Sequence, residues 1–179
     1  MPSLATRNSP SDSALAAACD RKIQHVEKNG GLEHPDPTPT EFSEQEINAY
    51  VASGRVTLPA GVTSVRFEGR PGVVTATLRV DFDKIRAGRE SSNPLLSLFT
   101  GVHDIVVLAT GRGTGRQGQV HVQSVSLDGT EIPRVLLEIF IRKYLQPKYP
   151  EVGMDSQFPL PYKIETATIG EHKLTVTQK

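Results

Sequence analysis

Between residues 73 and 82 the chain alternates with a period of two. Val74, Ala76, Leu78, Val80 and Phe82 share one face, while Thr75, Thr77, Arg79 and Asp81 share the other. That alternation predicts an antiparallel strand with one side buried and one side wet. "SVRFEG" repeats it upstream with Val65 and Phe67, and "EGRPG" predicts the turn between the two. "VHDIVVLATG" and "QVHVQSVSLDG" read as two further strands. In the second, Val120 and Val122 are in phase with each other, whereas Val125 and Leu127 have moved to the opposite phase. One extra residue near Gln123 and Ser124 restores the pairing, so the pattern predicts a β-bulge and a sharp bend there. At the C-terminus "KIETATIG" and "HKLTVTQK" predict a hairpin around Glu171, with Leu174 and Val176 facing in.

Elsewhere the period is helical. Leu15, Cys19, Ile23 and Val26 recur at helical spacing and predict a helix over residues 11–28, capped by Ser11 or Ser13. Three prolines and two glycines in "NGGLEHPDPTPT" then predict an extended linker. In "EFSEQEINAYVASG", Ser43 and Glu46 have the spacing of a capping box, Phe42 can staple onto Ile47, and Gly54 ends the helix. Its buried stripe is Ile47, Tyr50 and Val51. "FDKIRAGRESSNPLLSLFTG" reads as a crossing segment with short helical turns. "IPRVLLEIFIRKYLQPKYP" predicts the longest apolar helix, with Pro133 at its first position and Pro147 as its stop. A helix so apolar needs burial on two sides or a place in a cavity wall. "YPEVGMDSQFPLPYK" is expected to be an irregular return.

Composition narrows the classes. The 179 residues suit a helix and linker over 1–40 followed by a single domain over 41–179. Lys+Arg and Asp+Glu are both 20, a formal net charge of +0, which gives no global reason to bind nucleic acid. Nothing approaches the roughly 18 to 20 continuous apolar residues of a membrane span. The lone Cys19 forms no internal disulfide. The small-residue run from Ala14 to Cys19 looks like the cleavage region of a secretory or lipoprotein signal. However, the apolar segment of about 7 to 15 residues that export requires is replaced by Arg7, Asn8, Ser9, Pro10 and Asp12. A gene start further upstream is the reading that would restore it.

Candidate chemistry is sparse. The glycines of "GTGRQG", at 113, 115 and 118, have dinucleotide-loop spacing, but that loop must open a helix. Here a strand follows, so a flexible hairpin tip with Arg112 and Arg116 exposed is expected. His103, Asp104 and His121 are the residues a metal-dependent enzyme would use, yet a metal site needs three or four converging ligands and solvated strand residues are the simpler reading. Asp81 and Asp83 are spaced as strand neighbours and read as a solvated rim. No G-x-S-x-G elbow is present. No catalytic residue, metal or cofactor is assigned, and the expectation is a protein that is not an enzyme.

The fold class predicted is α+β: a strongly curved antiparallel sheet of about six strands with the three helices packed on its concave face. If those helices leave a gap, it suits an acyl chain or another apolar molecule. The proposed lining is Val74, Leu78, Val80, Leu136, Phe140 and Tyr144.

The run from "FSEQEINAYVASG" through "LPAGVTSVRFEGRPGVVTATLRVDF", and the later order "DGTEIP", apolar helix, "FPLPYK" and hairpin, resemble small bacterial cell-envelope proteins with a tubular-lipid-binding (TULIP-like) half-barrel. The resemblance covers residues 41–179. It implies a curled sheet wrapped around a helix, a lipid in the apolar groove, and a periplasmic or extracytoplasmic location. Without an export signal the alternative location is the cytoplasm. The alternative function is a structural or assembly protein whose apolar surface is filled by its own helices or by a second copy in a homo-oligomer.

Overall fold

The structure is a computed structural model and describes residues 10–87, 89 and 92–179. The export argument from Arg7, Asn8 and Ser9 lies outside the described residues. Within them the fold is α+β, built on a nine-stranded antiparallel sheet and four α-helices. In chain order the elements are α1 (Pro10–Gly30), β1 (Thr40–Ser43), α2 (Glu44–Ala52), β2 (Val62–Arg70) and β3 (Val73–Asp81). Next come α3 (Phe82–Arg86), a 3-10 turn (Pro94–Leu96), β4 (Val102–Thr114), β5 (Gln117–Leu127) and β6 (Thr130–Glu131). The chain ends with α4 (Arg134–Phe140), a π-helical turn (Ile141–Leu145), β7 (Asp155–Pro159), β8 (Ile164–Gly170) and β9 (Lys173–Gln178).

The strands run in the order β1-β9-β8-β4-β3-β2, with β5 on β4 and both β6 and β7 on β5. Strand β4 is the pivot. Its residues 102–110 pair with β3, whereas Arg112 and Gly113 pair with β8. Because β5 occupies the opposite edge through the same stretch, β3 and β8 share one edge in succession. That hand-over curves the sheet and leaves it open. The predicted bulge is present: Leu108 faces Ser124 and Ala109 faces Val122, so Gln123 is the extra residue. It returns Val122, Val125 and Leu127 to the apolar side.

The hairpin tip is tied to neighbouring segments by Arg116. Gly115 (φ 60°) and Arg116 (φ 63°) make a two-residue turn with both residues left-handed. Arg116 donates from its backbone to the Glu165 carbonyl (3.2 Å) and from its guanidinium to the Lys179 carbonyl. A Cβ at Gly118 would stand 2.5 Å from the Phe158 ring, so this glycine serves close packing of β7 on β5. The expected irregular return therefore contains a strand.

The free edge of β2 is covered by side chains of α2. Asn48 Nδ2 donates to the Phe67 carbonyl, and its Oδ1 accepts from the Phe67 amide, both at 2.8 Å. Glu44 accepts from the Gly69 amide at 2.8 Å. An amide side chain thus replaces a neighbouring strand and blocks edge-to-edge association. The Ser43–Glu46 capping box forms as expected.

Two hydrophobic clusters divide the helices. The larger joins β3, β4 and β5 to α3, the 3-10 turn, α4 and the π turn. The smaller joins Cys19, Ile23 and Val26 of α1 to Phe42, Ile47, Tyr50, Ala167, Leu174 and Val176. The helices consequently do not all cover one surface: α1 and α2 belong to the β8–β9 end. Ser11 and Ser13 lie inside α1, which starts at Pro10, and not at its cap. The expected long apolar helix is a seven-residue α-helix followed by a π turn, with the Gln146 amide bonded to the Ile141 carbonyl five residues back (2.9 Å). Pro133 stands at its N-cap.

A buried polar latch ties α1 to the last strand. Gln178 donates to the carbonyls of Val26 (2.8 Å) and Tyr162 (2.7 Å) and accepts from Asn29 Nδ2 (2.7 Å). Asn29 also bonds both backbone groups of Asp36. Replacing one buried partner leaves the others unsatisfied, which costs on the order of 1–3 kcal/mol. Gln178→Leu is therefore expected to lower the unfolding free energy from urea titration by that order, while Gln157→Leu on the exposed surface of β7 leaves it within about 0.5 kcal/mol.

Candidate apolar cavity

The alternating residues of β3, β4 and β5 place Leu78, Val80, Ile105, Val107, Val122 and Val125 on one side of the curved sheet. Facing them are Leu137 and Phe140 of α4 and Ile141, Tyr144 and Leu145 of the π turn. Phe82, Ile85 and Phe99 close one flank. A cavity of about 400 Å³ remains between these walls, within the size range of small-molecule sites. Pro59, Ala60, Lys148, Tyr149 and Val152 are its solvent-exposed members and form a rim. Of its side chains, only Tyr144, Lys148 and Tyr149 carry a nitrogen or oxygen atom.

Aromatic packing shapes the flank. Phe82 meets Phe99 and Phe140 edge-on, both at 5.5 Å between centroids, and Phe140 lies 4.3 Å from Phe99 and 5.2 Å from Tyr144. Such offset and edge contacts fix ring orientation beyond simple burial. Asp81 is what starts α3 beneath them, since its side chain accepts from the amides of Asp83 and Lys84. Asp83 accepts from the Gly101 amide at 3.2 Å. Asp81 thus caps α3, while Asp83 tethers the loop before β4.

Four of the six predicted lining residues, Leu78, Val80, Phe140 and Tyr144, stand in the cavity wall. Val74 does not: it pairs with Ala109 near the β2–β3 turn. Leu136 packs against the same cluster without reaching the wall. The wall also takes Ile105, Val107, Val122 and Val125, which the strand alternation and the bulge together could have supplied. Phe99 and Ile85 carry no such signal, because the crossing segment has no period.

The histidines are separated by the hairpin. His103 Nδ1 meets Asp128 at 2.5 Å and its Nε2 meets the Thr100 carbonyl at 2.7 Å. His121 Nδ1 meets Asp155 instead. Each has its own carboxylate and they do not converge. Among the described residues no three His, Cys, Asp or Glu side chains gather as metal ligands. Around His121, on the other face of the sheet, Thr110, Arg112, Gln119, Asp155 and Gln157 line a polar groove of about 450 Å³. Cys19 is buried in the smaller cluster, where desolvation, reinforced by Glu46, pushes its thiol up to about 11. It is a packing residue at neutral pH. No described helix is long and apolar enough to cross a membrane.

Comparison with protein families, with curated proteins and with solved structures finds no match to this chain.

Two histidines link stability to pH. The hydrogen bond to Asp128 raises the His103 pKa, aided by the Thr100 carbonyl and opposed by partial burial. Asp104 also acts on it, and Arg79 is paired with Asp104 at 2.9 Å. His172 is raised by its 2.9 Å bond to Glu44. A histidine that titrates higher when folded binds its proton more tightly in the native state. Its contribution is complete below the unfolded value near 6.5 and is lost as pH rises through the folded value. The urea midpoint is expected to be higher at about pH 6 than at about pH 8.5, and His103→Gln should shrink that difference.

Proposed function

We propose that the cavity holds an apolar molecule or the acyl chain of a lipid, and that the protein is a non-catalytic lipid-binding or lipid-shuttling component of a bacterial cell envelope. The observation that carries this reading is the chemistry of the wall. A space of about 400 Å³ faced mostly by Leu, Ile, Val and Phe offers chiefly dispersion contacts, and the only side-chain nitrogen or oxygen atoms in its wall are those of Tyr144, Lys148 and Tyr149. The resemblance of residues 41–179 to TULIP-like half-barrels supports the same class, with the α4–π segment in the role of the helix that the sheet wraps. A periplasmic or extracytoplasmic site of action follows from that resemblance.

A second reading draws on a different observation. Leu95, Leu98 and Val102 are 51%, 42% and 48% exposed within one short segment. In an assembly protein that segment would be covered by a second copy. A dimer that forms with rising concentration, in a preparation that binds no apolar probe, would favour it.

The protein as purified is expected to release lipid on organic extraction, detectable by mass spectrometry, and to bind a fluorescent fatty acid saturably. Val107→Trp and Val125→Trp, which place an indole in the cavity, are expected to weaken that binding at least tenfold, about 1.4 kcal/mol, with the circular dichroism unchanged. No extracted lipid together with no saturable binding by the unaltered protein would overturn the proposal.

A further inference from the structure

The cavity is charged at one point of its wall. Among the described residues no Asp, Glu, Arg or His lines it, and Lys148 is its one charged side chain. Lys148 is also exposed, so it stands where the space opens to solvent. A lysine at such a boundary lays its four-carbon stem on apolar surface and keeps its ammonium in water. Lys148 makes no ion pair among the described residues, and Glu138 of α4 is held by Arg134 at 2.8 Å. Glu151, three residues on, is exposed and makes no ion pair among them either. The surroundings share the sign of the charge. From Ile139 to Pro150 the chain carries Arg142, Lys143 and Lys148 and no carboxylate, in a protein whose net charge is +0.

The rim that carries this charge is pinned to the wall. The Lys148 and Tyr149 amides both donate to the carbonyl of Leu145, at 3.1 and 2.8 Å, and Leu145 is itself a wall residue. Gln146 Nε2 donates to the Val152 carbonyl at 3.1 Å, and the Val152 amide donates to the Tyr149 carbonyl at 3.0 Å. A backbone held in this way before any ligand arrives lowers the cost of ordering the rim on binding.

We infer that the cavity takes an amphiphile with an anionic headgroup, its chain against the apolar wall and its headgroup left at the rim beside the Lys148 ammonium. At the rim the anion keeps its water, whereas drawn inward it would be desolvated among hydrocarbon with no cation beside it. An ammonium acts as a point charge and demands no planar partner, so carboxylate and phosphate headgroups share the chemistry it recognises. This inference rests on the reading that the cavity holds an acyl chain, and it adds the headgroup.

The test is calorimetric titration with decanoate, decyl phosphate, decanol and decyltrimethylammonium, each below its micelle-forming concentration and at about pH 8, where decanoate is ionised. The full chain and its Lys148→Gln and Lys148→Glu variants are compared. The unaltered protein is expected to bind decanoate about threefold more tightly than decanol, the size of one exposed ion pair, and decyltrimethylammonium more weakly than either. Lys148→Gln lowers the decanoate-to-decanol ratio by about the same factor, and Lys148→Glu reverses the order of decanoate and decyltrimethylammonium. Salt at about 0.5 M shrinks the parent's ratio. A merely structural lysine would weaken all four probes together and move neither the ratio nor the order. If only one of decanoate and decyl phosphate exceeds decanol, that one is the headgroup. An unaltered protein that prefers neither anion to decanol, or a Lys148→Gln variant that keeps the parent's ratio, overturns the anchor while leaving the apolar cavity standing. No saturable binding of any of the four probes overturns both.

Discussion

Strand β4 is thirteen residues long, and no strand on its outer edge matches it. β3 takes residues 102–110 and β8 takes Arg112 and Gly113, while β5 pairs with residues 105–114 on the other edge. Each edge must satisfy its amides and carbonyls, and two strands in succession can share one edge only if the sheet turns between them. The turn brings the β2–β3 hairpin onto β8 and β9, where the Gly72 amide bonds the Ile169 carbonyl at 2.9 Å and the His172 amide bonds the Gly69 carbonyl at 2.9 Å. The remaining architecture depends on this constraint. A curved sheet presents an apolar hollow wider than a short helix, and α4 with its π turn fills only part of it.

About 400 Å³ of that hollow remains unfilled. The rim formed by Tyr149, Val152 and Lys148 opens it to solvent, and an apolar occupant would restore the missing dispersion contacts. The polar groups of the protein are elsewhere devoted to holding pieces together: Asn48 on the β2 edge, Gln178 and Asn29 on α1, His103 on the loop before β4. In this account polar chemistry builds the frame and hydrocarbon forms the site.

Much of the frame was legible from local rules. The change of phase between Val122 and Val125 located the bulge, and Ser43 with Glu46 marked a helix start that the structure contains. Those signals work because each depends on residues within a few positions of one another. The π turn, β7 and the separate docking of α1 and α2 depend on partners far along the chain, and nothing local announces them. "IPRVLLEIFIRKYL" has a continuous helical pattern, yet a π turn replaces its second half. The glycines of "GTGRQG" show the same limit, since Gly118 is small because Phe158, forty residues later, lies over it. Leu78, Val80, Phe140 and Tyr144 reached the cavity because alternation and helical phase point them inward. Phe99 was missed because its orientation is set by Phe82 and Phe140 and not by its own neighbours.

The central claim, that a hydrocarbon-walled hollow receives an apolar chain, is most directly examined by methyl NMR. Isotope-labelled Ile, Leu and Val methyl groups would be observed in the presence of methyl dodecanoate. Intermolecular contacts from the acyl chain to Val107, Val125, Leu137 and Ile141, on both walls at once, are the predicted result. Contacts confined to the exposed Leu95, Leu98 and Val102, or none at all at saturating ester, would contradict it.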